Sequence, residues 1–342
     1  MRQWMQRGPV PCLLWPVSLL FGALAALRRN LYRVGLFNIV RLPVPVIVVG
    51  NLFVGGTGKT PLTIWLVEAL RDAGYHPGVI SRGYGSADRG ARRVTAASSA
   101  RQVGDEPVLI ARRTGCPLMV GRDRVAAAQA LLGLHPEVDV ILSDDGLQHY
   151  RMGREIEIVL SDIRGDGNGW LLPAGPLREP RSRSRDFSVV NVGTQSPGNV
   201  RQQATSSASD DTVFMELKAP LAERLIDRTQ RTTLAAIAAA APPPSMIAAA
   251  GIGNPARFFA TLSAAGLVFQ TMPLPDHHRF TADTFADCAA DLILITEKDA
   301  VKCGEIPALA SDPRLWVVPV SAYIAAPFAD NIVEKLRGHA TA

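Results

Sequence analysis

Lysine, cysteine and early acidic residues are scarce in this 342-residue chain. It has five lysines against 31 arginines, and no Asp or Glu precedes Glu68. The net charge of +5 is modest, so the arginine excess does not lead us to predict nucleic-acid binding. The four cysteines include no Cys-x-x-Cys pair, which favours free thiols in a reducing compartment and excludes a cysteine zinc site. A hydrophobic content of 47% excludes a disordered chain, and the length suits two domains.

The N-terminal segment 8–27 is uncharged and mostly apolar, and arginines flank it on both sides. As one helix it would be ~30 Å long, which is enough to cross a bilayer. Three prolines interrupt its first half, however, and leave only Val17–Leu27 as a continuous helix, which is too short to span. We therefore favour an anchor that lies on the membrane surface. A true span, with the globular part in the cytoplasm, and a buried core helix are the alternatives.

The remaining chain alternates apolar strands with helical stretches, which predicts a mostly parallel sheet with helices on both faces. A polar segment at 195–211 is interpreted as a linker or loop, and a second, smaller α/β series follows it. The predicted strands are 44–49, 78–81, 117–120, 138–143, 156–160, 187–192, 213–217, 246–250, 267–272, 292–296 and 315–320. The predicted helices are 60–73, 106–114, 124–134, 256–265, 282–290 and a last one that ends near Leu336.

A glycine loop lies between the first predicted strand and its helix. It reads Gly55-Gly56-Thr57-Gly58-Lys59-Thr60, and a strand, such a loop, Lys-Thr and a helix form the layout of a phosphate-binding P-loop. The glycines let backbone N–H groups face phosphate oxygens, Lys59 would reach the β- and γ-phosphates, and the Thr60 hydroxyl would hold Mg²⁺. The common pattern has a glycine where this chain has Phe53. A glycine-rich turn with a surface lysine is the alternative.

Adjacent carboxylates, Asp144 and Asp145, end the predicted strand 138–143. In a P-loop sheet an acidic residue at this position coordinates Mg²⁺ directly or through water. The alternative is a simple Asp-Gly turn. The sequence therefore predicts a nucleotide site with Mg²⁺, if the glycine loop is a P-loop.

Three further groups of residues have either a chemical role or a purely structural one. Asp105 and Glu106 precede a helix, where acidic residues also stabilise without any function. The loop Asp276-His277-His278 contains an Asp–His pair that could act as a general base or lie on the surface. The Gly- and Pro-rich loop 167–180 presents Arg178, which could bind a phosphate, and Glu179, which could accept from a sugar hydroxyl or a metal-bound water. A rigid connection is the alternative for this loop.

Together these segments resemble the tetraacyldisaccharide 4′-kinases, the lipid A 4′-kinases of Gram-negative bacteria. The resemblance runs from about residue 15 to 335, and Phe53 is then the family's own form of the glycine loop. The matching segments occur in the family's order at 50–61, 81–85, 104–107, 144–149, 172–180, 250–255, 276–278 and 296–302.

The resemblance implies transfer of the γ-phosphate of ATP to the 4′-hydroxyl of a tetraacylated glucosamine disaccharide 1-phosphate, giving lipid IVA, at the cytoplasmic face of the inner membrane. It implies two α/β/α domains with the ATP site between them and an N-terminal helix that meets the membrane. We accordingly divide the chain into a membrane-associated segment at 1–40, a P-loop domain at 41–211 and a smaller domain at 212–342, whose last helix is a candidate to pack on the P-loop domain. No obligate protein partner is implied.

The resemblance also implies roles for particular residues. Asp105 and His277 match the family's proposed catalytic pair, with Asp105 as the base for the sugar hydroxyl. The remaining residues with implied roles are Lys59 and Thr60 for phosphate and Mg²⁺, Asp144, Asp145 and Glu106 on the metal side, Tyr84, Arg122 and His149 at the disaccharide head group, and Arg178 and Glu179 near nucleotide and acceptor.

Because Asp105 and His277 lie in different predicted domains, we expect domain closure to assemble the site. Two other functions share the glycine loop. A membrane-associated P-loop ATPase that acts as a switch would turn over ATP without using a lipid acceptor. A non-enzymatic nucleotide-binding scaffold would keep its function after Lys59→Ala.

Overall fold

Two mixed, mostly parallel sheets form the two lobes of the computed structural model, which describes residues 2–83, 90–193 and 212–338. This confirms the predicted α/β class. The large lobe holds β1 (Val46–Gly50), β2 (Pro77–Ser81), β3 (Arg92–Val94), β4 (Leu118–Val120), β5 (Val140–Asp144), β6 (Ile156–Asp162), β7 (Phe187–Gly193) and β8 (Thr212–Lys218). The small lobe holds β9 (Leu221–Arg224), β10 (Arg231–Thr233), β11 (Met246–Ala250), β12 (Gln270–Pro273), β13 (Leu292–Thr296) and β14 (Leu315–Val318). One last strand, β15 (Ser321–Ile324), returns to the large sheet.

The helices follow the strands in the order expected of α/β units. They are α1 (Pro9–Arg33), α2 (Lys59–Asp72), α3 (Ala100–Val103), α4 (Asp105–Thr114), α5 (Arg124–Leu134), α6 (Leu234–Ala238), α7 (Pro255–Ala264), α8 (Glu297–Cys303), α9 (Pro307–Ala310) and α10 (Pro327–Gly338). A short 3₁₀ turn at Arg2–Met5 precedes α1.

The large sheet has the strand order β15-β8-β7-β6-β1-β5-β2-β4-β3. Its inner pairs are parallel, and only the edge strands β3 and β15 pair antiparallel. The central strands β1 and β5 are buried along their whole length, so apolar residues follow one another without alternation in β1 and in β5 up to Leu142. Because their carboxyl ends meet at one edge, the loops after β1 and β5 lie side by side there.

The small sheet has the order β10-β9-β14-β13-β11-β12, in which β14, β13, β11 and β12 are parallel to one another and β9 pairs antiparallel with β14 and β10. The strands β8 and β15 pair with the large sheet, although both fall within the range 212–342 that the sequence assigned to the second domain. The helix α10 also packs on the large lobe, where Phe328 stacks on Trp65 with ring centroids 5.7 Å apart. The division at residue 211 stays a prediction.

The N-terminal helix differs from its prediction. It is one helix of 25 residues from Pro9 to Arg33, not a helix confined to Val17–Leu27. Prolines at the first turn lose no hydrogen bond, because those amides have no intrahelical acceptor, and only Pro16 lies in the helix interior. By length and composition α1 could therefore cross a bilayer.

The predicted helix 282–290 is wrong. This segment forms consecutive turns, in which Thr284 N donates to Thr281 O and Ala286 N donates to Asp283 O. The carbonyls of Phe285 and Cys288 accept from turn amides and also from the Arg314 guanidinium at 3.2 and 2.8 Å. The tertiary contacts of this segment thus override its local helix propensity.

Other differences lie at strand ends. The predicted strand 315–320 ends at Val318, because the following Pro319 has no N–H to donate and the chain crosses there to the large sheet as β15. The short strands β3, β9, β10 and β15 were not predicted. The predicted linker 195–211 and the candidate residue Tyr84 lie outside the described residues.

The helix α2 supplies a test of the core. Leu62, Leu66 and Leu70 recur every four residues and are buried against the large sheet. We expect Leu66→Ala to lower the free energy of unfolding by about 2–5 kcal/mol, because it leaves a cavity beside β1 and β5. Denaturant midpoints measure the loss. The matched control Leu134→Ala removes a side chain that is 59% exposed and should cost less than about 0.5 kcal/mol. Equal losses at the two sites would contradict the packing described.

Candidate active site

The glycine loop is held in one conformation by side chains from neighbouring strands. Gly55 and Gly58 have φ values of 113° and 103°, a region that favours glycine. A Cβ at Gly58 would lie 2.4 Å from Nδ2 of Asn191, and this Nδ2 donates to Thr57 O at 2.7 Å. Arg164 donates to Gly56 O at 3.0 Å. The loop therefore enters α2 with its backbone already shaped for phosphate.

Lys59 begins α2 and its ammonium group lies among polar partners. Its Nζ donates to Asn51 Oδ1 at 2.9 Å and lies 3.6 Å from Asp145 Oδ1. Asn51 in turn donates to Gly55 O at 3.1 Å, so it connects the lysine to the loop. These contacts keep the lysine charge at the loop, where the phosphates of a nucleotide would lie.

The strand-end carboxylates differ in environment. Asp144 is buried and accepts from Ser81 Oγ at 3.1 Å, and the structure describes no hydrogen-bond partner for its buried Oδ1. Burial, with the nearby charge of Glu106, raises the pKa of Asp144 to about 6. Burial would also raise the pKa of Asp145, but Lys59 and Arg178 outweigh it and lower that pKa.

The carboxylate and hydroxyl oxygens near the glycine loop are of the kind that binds Mg²⁺. Among the described residues there is no group of three or more His, Cys, Asp or Glu side chains that could hold a metal ion by themselves. Mg²⁺ in kinases is held by one or two carboxylates together with phosphate oxygens and waters. The unpartnered Asp144 Oδ1 at the end of β5 therefore fits a magnesium ligand, and Thr60 stands in the first turn of α2.

Asp105 and His277 meet between the lobes. His277 Nδ1 lies 3.1 Å from Asp105 Oδ2, which brings the first turn of α4 to the loop after β12. Burial would raise the pKa of Asp105, but the hydrogen bond from His277 and the nearby lysines outweigh it and lower that pKa. The same hydrogen bond raises the pKa of His277. The pair can thus keep an ionised carboxylate in a buried position.

Backbone conformation marks two site residues. In the described ranges, Asp145 and His277 are the two non-glycine residues with a positive φ, at 51° and 56°. Such a conformation costs about 1–3 kcal/mol and persists where the surrounding contacts impose it. Here the side-chain bonds to Arg178 and Asp105 supply those contacts.

A cavity opens between the glycine loop and the small lobe. Gly56 to Thr60 line one side, and Gly253, Asn254 and Phe258 line the other. Glu106 also lines this cavity and pairs with Lys298, whose Nζ lies 3.1 Å from Glu106 Oε1 and 3.4 Å from Asp276 Oδ1. The cavity is therefore bordered on one side by the backbone of the glycine loop.

The candidate residues of the loop 167–180 are placed differently from each other. Arg178 forms an ion pair with Asp145 at 3.1 Å and so belongs to the strand-end site. Glu179 is buried, and its oxygens accept from Gln148, Tyr150 and Arg183. This placement supports a structural role for Glu179 and gives no free oxygen that faces the cavity.

The head-group candidates are only partly brought together. His149 follows β5 and is partly buried, and burial, with the charges of Arg124 and Arg82, lowers its pKa to about 4. Arg122 precedes α5 and is exposed. Neither contacts Asp105 or Lys59 in the described contacts.

Several residues of the site escaped prediction. Asn51 and Asn191 hold the glycine loop, but a single Asn beside a strand carries no sequence signal of its own. Asp162 joins Arg164 and Arg257, which link the loop to the small lobe at 2.7 and 2.6 Å. Lys298 lies in the segment 296–302 that matches the family, but no role was predicted for it. The scarcity of lysine was the one signal that could have singled it out.

A P-loop between β1 and α2, with strand-end carboxylates and a second lobe closing over it, defines a phosphotransferase of the P-loop kinase class. A family model described as Tetraacyldisaccharide-1-P 4′-kinase (LpxK) matches residues 10–337, and the chain belongs to this family. The tetraacyldisaccharide 4′-kinase of Janthinobacterium sp. (strain Marseille) is 60% identical over 341 residues, which cover 99% of this chain and 96% of that protein. That of Herminiimonas arsenicoxydans is 57% identical over 350 residues, covering 100% and 96%.

Solved structures give the same result. The crystal structure of the "apo" form of LpxK from Aquifex aeolicus in complex with ATP superposes with a TM-score of 0.75 at 25% sequence identity. The match covers 95% of this chain and 99% of that chain. The chain is therefore a kinase of lipid A biosynthesis by family, and the sequence-based recognition is confirmed.

The pKa values of the two histidines of the site should be shifted in opposite directions from the usual value. We expect His149 to have a pKa of about 4, because it is partly buried among arginines, and His277 to have a pKa above the usual 6.5, because Asp105 accepts its hydrogen bond. Nuclear magnetic resonance of ring-labelled histidine measures both pKa values, and the variants His149→Gln and His277→Gln assign the signals to the two residues.

The consequences for stability follow the same signs. At His149 the unfolded chain binds the proton more tightly, so stability is lost as the pH falls from about 6.5 towards 4. At His277 the folded chain binds the proton more tightly than the unfolded chain does. Its contribution to stability is therefore present below about pH 6.5 and is lost as the pH rises through the pKa of the folded state. If the NMR titrations gave both histidines pKa values on the same side of 6.5, the described environments would be contradicted.

Proposed function

We propose that the chain transfers the γ-phosphate of ATP to the 4′-hydroxyl of a tetraacylated glucosamine disaccharide 1-phosphate, giving lipid IVA. The observation that carries the proposal is the contact between Asp105 and His277 at the edge of a cavity lined by the glycine loop. This contact supports a proton acceptor for a hydroxyl close to the loop that would bind the phosphate donor. Family membership supports the acceptor and the place in lipid A biosynthesis.

Phosphate binding rests on the loop and on Lys59. The loop amides and the N-terminus of α2 would bind the β- and γ-phosphates, and Lys59, which now contacts Asn51 and Asp145, would pair with the phosphate oxygens. Thr60, Asp144 and Asp145 would hold Mg²⁺, with Glu106 as a further ligand after release from Lys298. When bound, Mg²⁺ neutralises charge on the phosphates. Arg178 adds a second cation beside Asp145.

Proton removal rests on Asp105. The sugar hydroxyl is a weak nucleophile, and its proton passes to the Asp105 carboxylate as the oxygen attacks the γ-phosphorus. The bond from the γ-phosphorus to the bridging β-phosphate oxygen breaks, and ADP leaves. His277 donates to Oδ2 of Asp105 and fixes the orientation of the carboxylate. Such a base contributes about 10²–10⁴-fold to the rate. Arg122, His149 and Tyr84 are proposed for the head group of the acceptor.

Membrane attachment rests on α1. The exposed apolar side chains Val10, Leu13, Val17, Leu20, Leu24 and Leu27 recur every three or four residues and form one stripe. The opposite side contacts the large lobe, where Ser18 Oγ donates to Leu171 O at 2.8 Å and Trp15 lies 6.2 Å from Trp170. A helix docked along its length supports a surface anchor at the cytoplasmic face of the inner membrane of a Gram-negative bacterium.

Radiolabel transfer from γ-labelled ATP to the acyl-disaccharide tests the activity. We expect the wild type to label the acceptor and Asp105→Asn to lower kcat by about 10²–10⁴-fold with ATP binding retained, because only the proton acceptor is lost. Glu155→Gln is the control and should keep wild-type kcat, because Glu155 lies at the amino end of β6, where it accepts from Val46 N, away from the carboxyl ends of the strands. ATP turnover that ignores the acceptor would instead favour the switch ATPase. Full transfer by Asp105→Asn would remove Asp105 from the mechanism.

Closure of the two lobes remains a prediction. Asp105 and His277 are in contact in the structure. If nucleotide drives closure, small-angle scattering should show a smaller radius of gyration with a non-hydrolysable ATP analogue than without it. An unchanged profile would indicate that the site is assembled before nucleotide binds.

A further inference from the structure

Two lysines on α8 reach across the cleft to the first turn of α4. Lys298 and Lys302 are four residues apart, so they lie on the same face of the helix. Lys298 Nζ lies 3.1 Å from Glu106 Oε1, and Lys302 Nζ lies 3.6 Å from Asp105 Oδ2. Adjacent carboxylates of the large lobe thus meet neighbouring ammonium groups of the small lobe.

Lys302 is anchored within the small lobe. Its Nζ lies 3.0 Å from Asp299 Oδ1 and 5.1 Å from the centre of the Phe280 ring. Asp299 is completely buried, and its other oxygen accepts from Gly251 N at 2.9 Å and Thr296 Oγ1 at 2.8 Å. The ammonium group therefore has a defined position before it meets Asp105.

The carboxylate of Asp105 is held on both oxygens. Oδ1 accepts from the backbone N–H of Glu106 at 2.9 Å, and Oδ2 faces both His277 and Lys302. Lys298 lines the nucleotide cavity, whereas the described lining does not include Lys302. Lys302 can therefore act on the reaction through Asp105 without touching the nucleotide.

We propose that Lys302 is a positioning residue that holds the Asp105 carboxylate against His277 across the cleft. The inference rests on the proposed function, because it assigns Asp105 as the proton acceptor. Loss of the ammonium group lets the carboxylate turn away from His277, and a displacement of about 1 Å can cost 10²-fold in rate. ATP binding is unaffected because the glycine loop is unchanged.

The test compares Lys302→Met with Lys335→Met in the full chain in detergent micelles. Lys335 pairs with Asp186 on the outer face of the large lobe, so it is a matched lysine remote from the cleft. We expect Lys302→Met to lower kcat for the acyl-disaccharide by about 10²-fold and to change the KM for ATP by less than about threefold. Lys335→Met should keep wild-type kcat and KM. An ATP KM that rises as much as kcat falls would overturn the proposal.

A double-mutant cycle separates positioning from general structural damage. In an Asp105→Asn background, Lys302→Met should cause no further loss of kcat, because both changes act through the same carboxylate. Losses that multiply would overturn the proposal.

Two controls keep the result decisive. If Lys302→Met does not fold, the pair Asp299→Asn and Lys302→Met removes both buried charges together and leaves neither unpaired. The folded double variant should show the same loss of kcat, and wild-type kcat in it would overturn the proposal. A wild type without transfer would mean that the proposed function fails. Normal transfer by wild type and by the Lys302 variants would mean that only the positioning role fails.

Discussion

The first turn of α4 presents the carboxylates Asp105 and Glu106 to cationic groups of the other lobe. His277, Lys298 and Lys302 approach them from the loop after β12 and from α8. Charges that are partly removed from water attract strongly, and each is costly if its partner is lost. This set of ion pairs joins the two sheets at the place where the cavity opens. The position of the candidate base depends on how the lobes meet.

The glycine loop shows the same dependence on neighbours. Its residues come from one short stretch of chain, but Asn191 of β7 and Arg164 after β6 hold the backbone. Asp162 then connects Arg164 to Arg257 of the small lobe. The glycine loop is a local motif in the sequence, but residues of both lobes support it in the structure. The contacts through Asp162 connect it to the small lobe.

The lipid acceptor explains why α1 has two unlike sides. One side packs on the loop 168–173 through Ser18 and Trp15, and the other presents an apolar stripe. The same loop leads to Arg178 beside Asp145, so α1 and the strand-end site contact one continuous segment of chain. The apolar stripe of α1 and the strand-end site are therefore both connected to this loop.

Local signals determined much of this protein. The strand-loop-helix pattern around Lys59, the carboxylates after β5 and the apolar N-terminal segment depend on neighbours in the chain, and the structure has each of them as an element. The prediction that prolines shorten α1 was wrong, because helix propensity does not account for first-turn amides that have no intrahelical acceptor. The helix predicted at 282–290 was wrong because propensity cannot show that two of its carbonyls accept hydrogen bonds from Arg314. Only the tertiary structure decided that Lys302 meets Asp105 and that Glu179 is enclosed by Tyr150 and Arg183. Contacts between residues so far apart in sequence arise when two sheets pack, and packing depends on the whole chain at once.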